Sequence, residues 1–424
     1  KTKNTYKDMK KIYVITPNPD ENYFGNKYNL PESSNLITNV SALLYASQFE
    51  EKGKEVIFFD YYNDYSQTLK LINKTNTEAV HLFLGFANYK NGIKLYQDLK
   101  DKKISVTLNG VYNFIDGQNF SDCTLLTERG IKCEKPIVDM DVKINYDLIN
   151  PLDDLFKFQE KMNQEKSLII VSQYFGCPKR ANCFHCSSDK LKTNLKIKLT
   201  KNPKETIQEI MNVKIKYNLD TVIIGDLMST DNRLKQLVEH TKGIELPKLR
   251  ISTAANYITE KSVKDLLKLN CKEIFLGIES YNENLIRTLD KSFTLEDVDR
   301  AMRLLYKNKI YAHISLMIGI PGETEDTLKR TLDFVNYWKK NKQIDGKPFL
   351  RLQVSLFTPI PGSQVYEIFK YRNGIEPTKK LIMGDDWISN LQSRYSDLFL
   401  DKKILKSVQD CYQKLSKISD TSYV

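Results

Sequence analysis

Three of the chain's seven cysteines fall within ten residues, at Cys177, Cys183 and Cys186 in GCPKRANCFHCSSDK, a spacing of C-x5-C-x2-C. Three thiolates on one short loop can ligate three irons of a 4Fe-4S cluster and leave the fourth iron open to an exogenous ligand. An open iron means chemistry and not only electron storage. The competing reading is tetrahedral zinc, with His185 or another side chain completing the donor set. His185 lies between two of the thiols, an awkward place for a fourth donor, and the cysteines alone leave both readings open.

The remaining cysteines, Cys123, Cys133, Cys271 and Cys411, read as structural. An odd number of thiols without an export signal argues against a disulfide framework. The N-terminus, KTKNTYKDMKKIYVIT, has no hydrophobic core of signal-peptide length, so the cytoplasm is the expected compartment. At 424 residues the chain has room for two or three domains. Hydrophobic residues make up 41%, and no run approaches the roughly 18 uncharged apolar residues of a membrane span. No membrane association is expected. Net charge is +11, but 53 of the 64 basic residues are Lys and only 11 are Arg. Dispersed lysines suit a solvated surface, whereas nucleic-acid sites favour clustered, arginine-rich stretches. A nucleic-acid partner is therefore not expected.

Two series of elements must position the cysteines. From Lys11 to about Asp139, KKIYVIT, KEVIFFD, AVHLFLGF and ISVTLNG read as strands, with ITNVSALLYASQFEEKG and YKNGIKLYQDLKDKK as helices. Strand and helix alternating at this spacing predict a parallel sheet of Rossmann-like topology, although no G-x-G-x-x-G follows the first strand. Residues 141–165 connect it to a second series with strands at 167–172, 221–226, 248–253, 273–280, 311–320 and 350–357. Six such repeats predict an α/β partial (β/α)6 barrel, whose active site belongs at the C-terminal strand ends. The expected organisation is a Rossmann-like domain at 1–140, a linker at 141–165, a barrel at 166–366 and a helical C-terminal cap at 367–424.

The cysteine loop, placed directly after the strand SLIIVSQYF, resembles that of radical S-adenosylmethionine (SAM) enzymes, although the usual first interval is three residues and here it is five. The resemblance implies that SAM chelates the open iron. One electron then cleaves SAM to methionine and a 5′-deoxyadenosyl radical, which abstracts hydrogen from the substrate. An electron donor such as flavodoxin or ferredoxin is implied with it. Later strand ends follow the same family. Asp226 stands where an acidic turn meets the methionine amino group, although a helix cap is an equal reading for it alone. GIES at 277–280 places Glu279 and Ser280 at the SAM ribose. HISLMIGIPGET brings His313, Gly319, Pro321 and Gly322, whose main chain can approach the adenine closely, and LFTPIPGSQVY resembles the sixth strand end. Arg250 and Arg351 are candidates for anchoring a carboxylate, as are Arg287 and Lys291, with Lys291 read as a solvated surface residue. For His313 a core position is the commoner outcome.

The N-terminal half resembles the cobalamin-dependent branch of these enzymes, and INYDLINP resembles its lead into the barrel. That implies a corrin near Asn109 and Gly110, where relatives carry Gly-Gly-Pro-His and this chain reads Asn109, Gly110, Val111, Tyr112. The alternative is a domain that keeps the fold without the cofactor, or grips substrate. With cobalamin, the implied reaction is C-methylation of a peptide or small-molecule substrate. Without it, crosslinking, cyclisation or rearrangement follows. A tRNA-modifying enzyme and a non-catalytic zinc or iron-sulfur protein are the rival classes.

Overall fold

Short apolar runs alternating with amphipathic helices organise both halves of the chain in the computed structural model, which describes residues 10–17, 40–60, 65–84, 89–109, 143–149, 156, 157, 159, 160, 165–172, 183–186, 201–226, 228–359, 363–366, 368, 400 and 402–419. Described residues up to 160 form one compact unit, and those from 165 onward form a second.

In the first unit, strands β1 (Lys11–Thr16), β2 (Glu55–Asp60), β3 (Thr77–Phe83) and β4 (Val106–Asn109) pair in parallel in the order β2-β1-β3-β4. Parallel neighbours need crossover connections, and among the described elements α1 (Val40–Glu51), α2 (Tyr65–Lys74) and α3 (Tyr89–Asp101) lie between successive strands. Helices over such a sheet bury its strands, so Tyr13, Ile15, Leu82 and Leu108 are fully buried. The α2 helix presents Tyr65, Thr68, Leu69 and Ile72 on one face, with Thr68 and Ile72 buried, and is absent from the elements read from the sequence. Within the connecting segment, a 3-10 turn at Tyr146–Leu148 is tied to α1 through Asn145, whose N–H donates to Ser47 Oγ at 2.9 Å.

The second unit is a parallel sheet of β5 (Ser167–Ile170), β6 (Thr221–Ile224), β7 (Lys248–Thr253), β8 (Cys271–Glu279), β9 (Tyr311–Ile318) and a last strand at Leu350–Leu356. A hairpin, β10 (Gln343–Ile344) and β11 (Lys347–Pro348), precedes that last strand, which is β12. Its turn, Asp345-Gly346, has both residues at positive φ (49° and 77°), as a two-residue hairpin turn of this kind requires. The order is β12-β9-β8-β7-β6-β5 throughout, with no β5–β12 pairing among the described residues. This is a partial barrel of six strands.

Its helices are α4 (Pro203–Tyr217), α5 (Asp231–Val238), α6 (Glu260–Lys268), α7 (Glu283–Thr288), α8 (Leu295–Lys307) and α9 (Glu325–Lys340). Capping boxes at Thr259/Ser262, Thr294/Asp297 and Thr324/Thr327 satisfy the first free N–H groups of α6, α8 and α9 and start each helix sharply. Helix α10 (Lys402–Ile418) packs against α9 and β12. On the strands, Leu249, Ile251, Ile274, Leu276 and Ile314 are fully buried. Arg250, Ser252, Phe275, Gly277, Ser315 and Gln353 alternate with buried positions and stay half-buried on the opposite, inner face.

His81 on β3 is buried with its ring stacked on Phe49, at a centroid distance of 5.0 Å, and burial pushes its pKa down to about 4. The unfolded histidine takes up a proton below about 6.5 and the folded one does not until about 4, so stability falls as pH drops through that window and is level above it. The expected loss is roughly 3 kcal/mol. Replacing His81 by Phe, which keeps the stack, should flatten that dependence when urea unfolding is compared at pH 7 and pH 4.5.

Candidate active site

Cys183 and Cys186 are the two site cysteines among the described residues; Cys177 lies outside them. The Cys186 N–H donates to the Cys183 carbonyl at 2.9 Å, so residues 183–186 form a turn with a half-buried thiol at each end. Both sides of Phe184 are pinned. Its N–H donates to Leu289 O (3.0 Å), just past α7, and its carbonyl accepts from Val365 N–H (3.1 Å), beyond β12. The His185 ring sits edge-on to Phe357 with centroids 6.5 Å apart.

The segment 173–200, which carries all three cysteines, is clamped at its base. Lys201 N–H donates to Ser172 O at 3.0 Å, closing the two ends together. Ser172 is held by Asp226, which accepts from its N–H (2.8 Å) and from its hydroxyl. Arg233 Nη2 donates to Ser172 O and to Thr206 Oγ1, both at 3.0 Å. Asp226 and Arg233 are only 3% and 2% exposed. Burial pulls the Arg233 pKa down while the Asp226 charge opposes it. Asp226 therefore braces the strand end that launches the cysteines, and Thr230 supplies the cap of α5. Changing Arg233 to Met would leave Asp226 buried without its counter-charge, a loss of about 3 kcal/mol. Thermal unfolding should show a lower midpoint, and reconstitution should load fewer irons per chain.

At the end of β8 the strand register with β9 slips between Gly277 and Glu279. Glu279 takes φ 62°, and the Ser280 N–H donates to Ile278 O at 2.7 Å, closing a three-residue γ-turn in the left-handed region. Such a conformation costs a non-glycine residue about 1 to 3 kcal/mol and persists only where surroundings hold it. Here Lys291 Nζ donates to Glu279 Oε1 (2.7 Å) and to Gly277 O (3.1 Å). A Cβ on Gly277 would stand 2.7 Å from Glu279 Oε1, so only glycine lets the carboxylate fold over it. Ser280 Oγ is buried with no hydrogen-bond partner among the described residues.

Lys291 is thus not on the solvated surface the sequence suggested. Its side chain is 11% exposed, whereas that of Arg287 is 74% exposed and paired with Glu283. Burial opposes the Lys291 charge, but Glu279 and the thiols of Cys183 and Cys186 outweigh it and hold its pKa above the ordinary lysine value. An isolated lysine in a loop carries no periodic signal, and only its proximity to Glu279, Cys183 and Cys186 reveals it.

The remaining candidates divide between the two ends of the barrel. After β9, Glu323 N–H donates to Ile320 O (2.9 Å), with Pro321 and then Gly322 (φ 90°) at the middle of the turn, as a type II turn requires. Gly319 also has positive φ, 89°, and its bare Cα faces Val408 and Leu400. Glu323, absent from the sequence-based set, accepts from Gly319 N–H (3.2 Å) and Thr327 Oγ1, and burial pushes its pKa up. Deeper in the barrel, Arg351 Nη1 donates to Glu273 Oε2 at 2.8 Å, and His313 Nδ1 lies 3.8 Å from Glu273 Oε1 with its ring edge-on to Phe275. Arg250 is paired in register with Glu273 and acts electrostatically on Glu165, before β5. Neither arginine stands at the cysteine end. Asn109 ends β4, and Gly110 lies outside the described residues, as do Pro361 and Gly362.

Two half-buried thiols on one turn suit iron-sulfur ligation. Beside them, Ser280 Oγ and the uncommitted Oε2 of Glu279 suit vicinal hydroxyls, the use a carboxylate serves in nucleotide folds. Residues 171–335 match the family model of the Radical SAM superfamily.

Among known relatives, it is 25% identical over 261 residues to an uncharacterised methyltransferase of Pyrococcus horikoshii, covering 58% of this chain and 53% of the relative. It is 24% identical over 258 residues to the anaerobic magnesium-protoporphyrin IX monomethyl ester cyclase of Rubrivivax gelatinosus, covering 57% and 44%. The chain spans about half the length of these relatives. In fold it is similar to TsrM of Kitasatospora setae, a radical SAM methyltransferase solved with cobalamin and a 4Fe-4S cluster, with TM-score 0.60 and 13% identity over 86% of this chain and 78% of that one. The cobalamin-dependent radical SAM enzyme OxsB, solved with aqua-cobalamin, gives TM-score 0.59 at 13% identity, covering 87% and 62%. No described helix is long and apolar enough to cross a membrane.

Proposed function

We propose that the protein is a radical SAM enzyme that modifies an unreactive carbon of a peptide or small molecule, by cobalamin-dependent methylation, drawing electrons from a flavodoxin or ferredoxin. The observation that carries this reading is the pinned Cys183–Cys186 turn beside Glu279 and Ser280 at the C-terminal end of a radical SAM barrel. With SAM on its open iron, a 4Fe-4S cluster supplies the electron that splits SAM into methionine and a 5′-deoxyadenosyl radical, and cobalamin supplies the methyl group.

The chain's own residues hold and orient. Cys183 and Cys186, with Cys177, are assigned to three irons. Glu279 Oε2 accepts from the ribose hydroxyls, and Ser280 Oγ donates to the same sugar. The turn Ile320–Glu323 lies at the next strand end, where its main chain can approach the adenine. Similarity to a methyltransferase and the fold shared with TsrM and OxsB support methyl transfer, and TsrM itself has been solved with tryptophan as substrate.

Protein produced anaerobically with cobalamin, reconstituted with iron and sulfide, and given dithionite and SAM should yield 5′-deoxyadenosine and show corrin absorbance. Cys183→Ala and Cys186→Ala should each abolish the nucleoside product. A cluster-loaded wild type that makes none would overturn the reading, and zinc in place of iron would return the non-catalytic alternative.

A further inference from the structure

We infer that Lys291 is the positioning residue that registers the nucleoside side of the site against the cluster side. The inference rests on the radical SAM reading and names a residue outside its ligand set.

Three observations meet at this side chain. First, Lys291 Nζ takes Glu279 Oε1 at 2.7 Å and Gly277 O at 3.1 Å, which fixes one carboxylate oxygen and leaves Oε2 uncommitted by any described residue. Second, Glu279 occupies a left-handed backbone conformation that is unfavourable without an external hold, and the ion pair supplies that hold across the γ-turn. Third, Lys291 stands two residues beyond Leu289, whose carbonyl takes the Phe184 N–H, and its ammonium interacts electrostatically with both Cys183 and Cys186. One short link thus grips the cysteine turn by its backbone and the carboxylate by its side chain.

The charges explain the choice of residue. A carboxylate whose side chain is only 10% exposed needs a cation to hold it in place, and without one it would turn away toward water. The Lys291 ammonium supplies that cation at Oε1 and keeps Oε2 in place to accept. Gly277 completes the device, since a Cβ there would push Oε1 off the ammonium.

The test uses the full chain, reconstituted anaerobically and reduced, with SAM titrated against the electron paramagnetic resonance signal of the cluster. Lys291→Met should load iron as wild type and give the wild-type signal without SAM, whereas the SAM-dependent change should half-saturate at a concentration about tenfold higher or more. Lys291→Arg should recover most of that loss. Wild-type half-saturation in Lys291→Met overturns the inference. If that variant does not fold, Gly277→Ala decides: it keeps both charges and displaces the carboxylate, so weakened SAM binding supports the inference and wild-type binding overturns it. Failure of the underlying reading looks different, because the wild type itself then loads no cluster or shows no change with SAM.

Discussion

A loop bearing three thiols is useful only if both its ends and its tip are held at one place, and the hydrogen bonds that converge on Ser172 supply that constraint at the base. Ser172 ends the stretch after β5, Lys201 returns to it, and Asp226, just past β6, and Arg233, on α5, bind it. Backbone bonds at Phe184 hold the tip to segments beyond β8 and β12. The loop is therefore fastened to the first, fourth and sixth strands of the barrel. Separate tethers of this kind set where Cys183 and Cys186 stand.

Buried charge in the barrel is arranged as neutral pairs at two levels. Lys291–Glu279 lies at the cysteine end and Arg351–Glu273 deeper, with Asp226 and Arg233 behind the loop base. Burying such a pair gains little net stability, because desolvation offsets much of the attraction, while removing one partner is costly. Their value lies in orientation. Glu279 and Glu273 are each pinned by a cation at one oxygen, which sets where the carboxylate points. The strained turn at Glu279 has the same logic, since backbone energy is stored where a side chain must be aimed.

The cysteine spacing, the six barrel strands and the parallel sheet before them were legible because they rest on local patterns: short apolar runs, helical periodicity and a dense cysteine motif. Every predicted barrel strand is present, with β5, β6 and β9 each ending two residues earlier than read and β8 beginning two residues earlier. What could not be read depends on contacts between distant residues. Glu273 meets Arg351 across 78 positions, and Asp226 meets Ser172 across 54. Lys291 was misassigned for the same reason, because exposure is a property of the fold and a lone lysine looks alike in either setting. The β10–β11 hairpin was within reach, since Asp345-Gly346 is a strong turn signal, but its strands are only two residues each.

The central claim is that three cysteines hold a cluster whose fourth iron is open to SAM beside Glu279. Mössbauer spectroscopy on protein reconstituted with iron-57 tests it most directly. In the absence of SAM the spectrum should be that of a 4Fe-4S cluster, and on adding SAM one of the four irons should change its parameters while the other three stay as they were. A spectrum in which no iron responds to SAM, or a protein that takes up zinc and no cluster iron, would contradict the account.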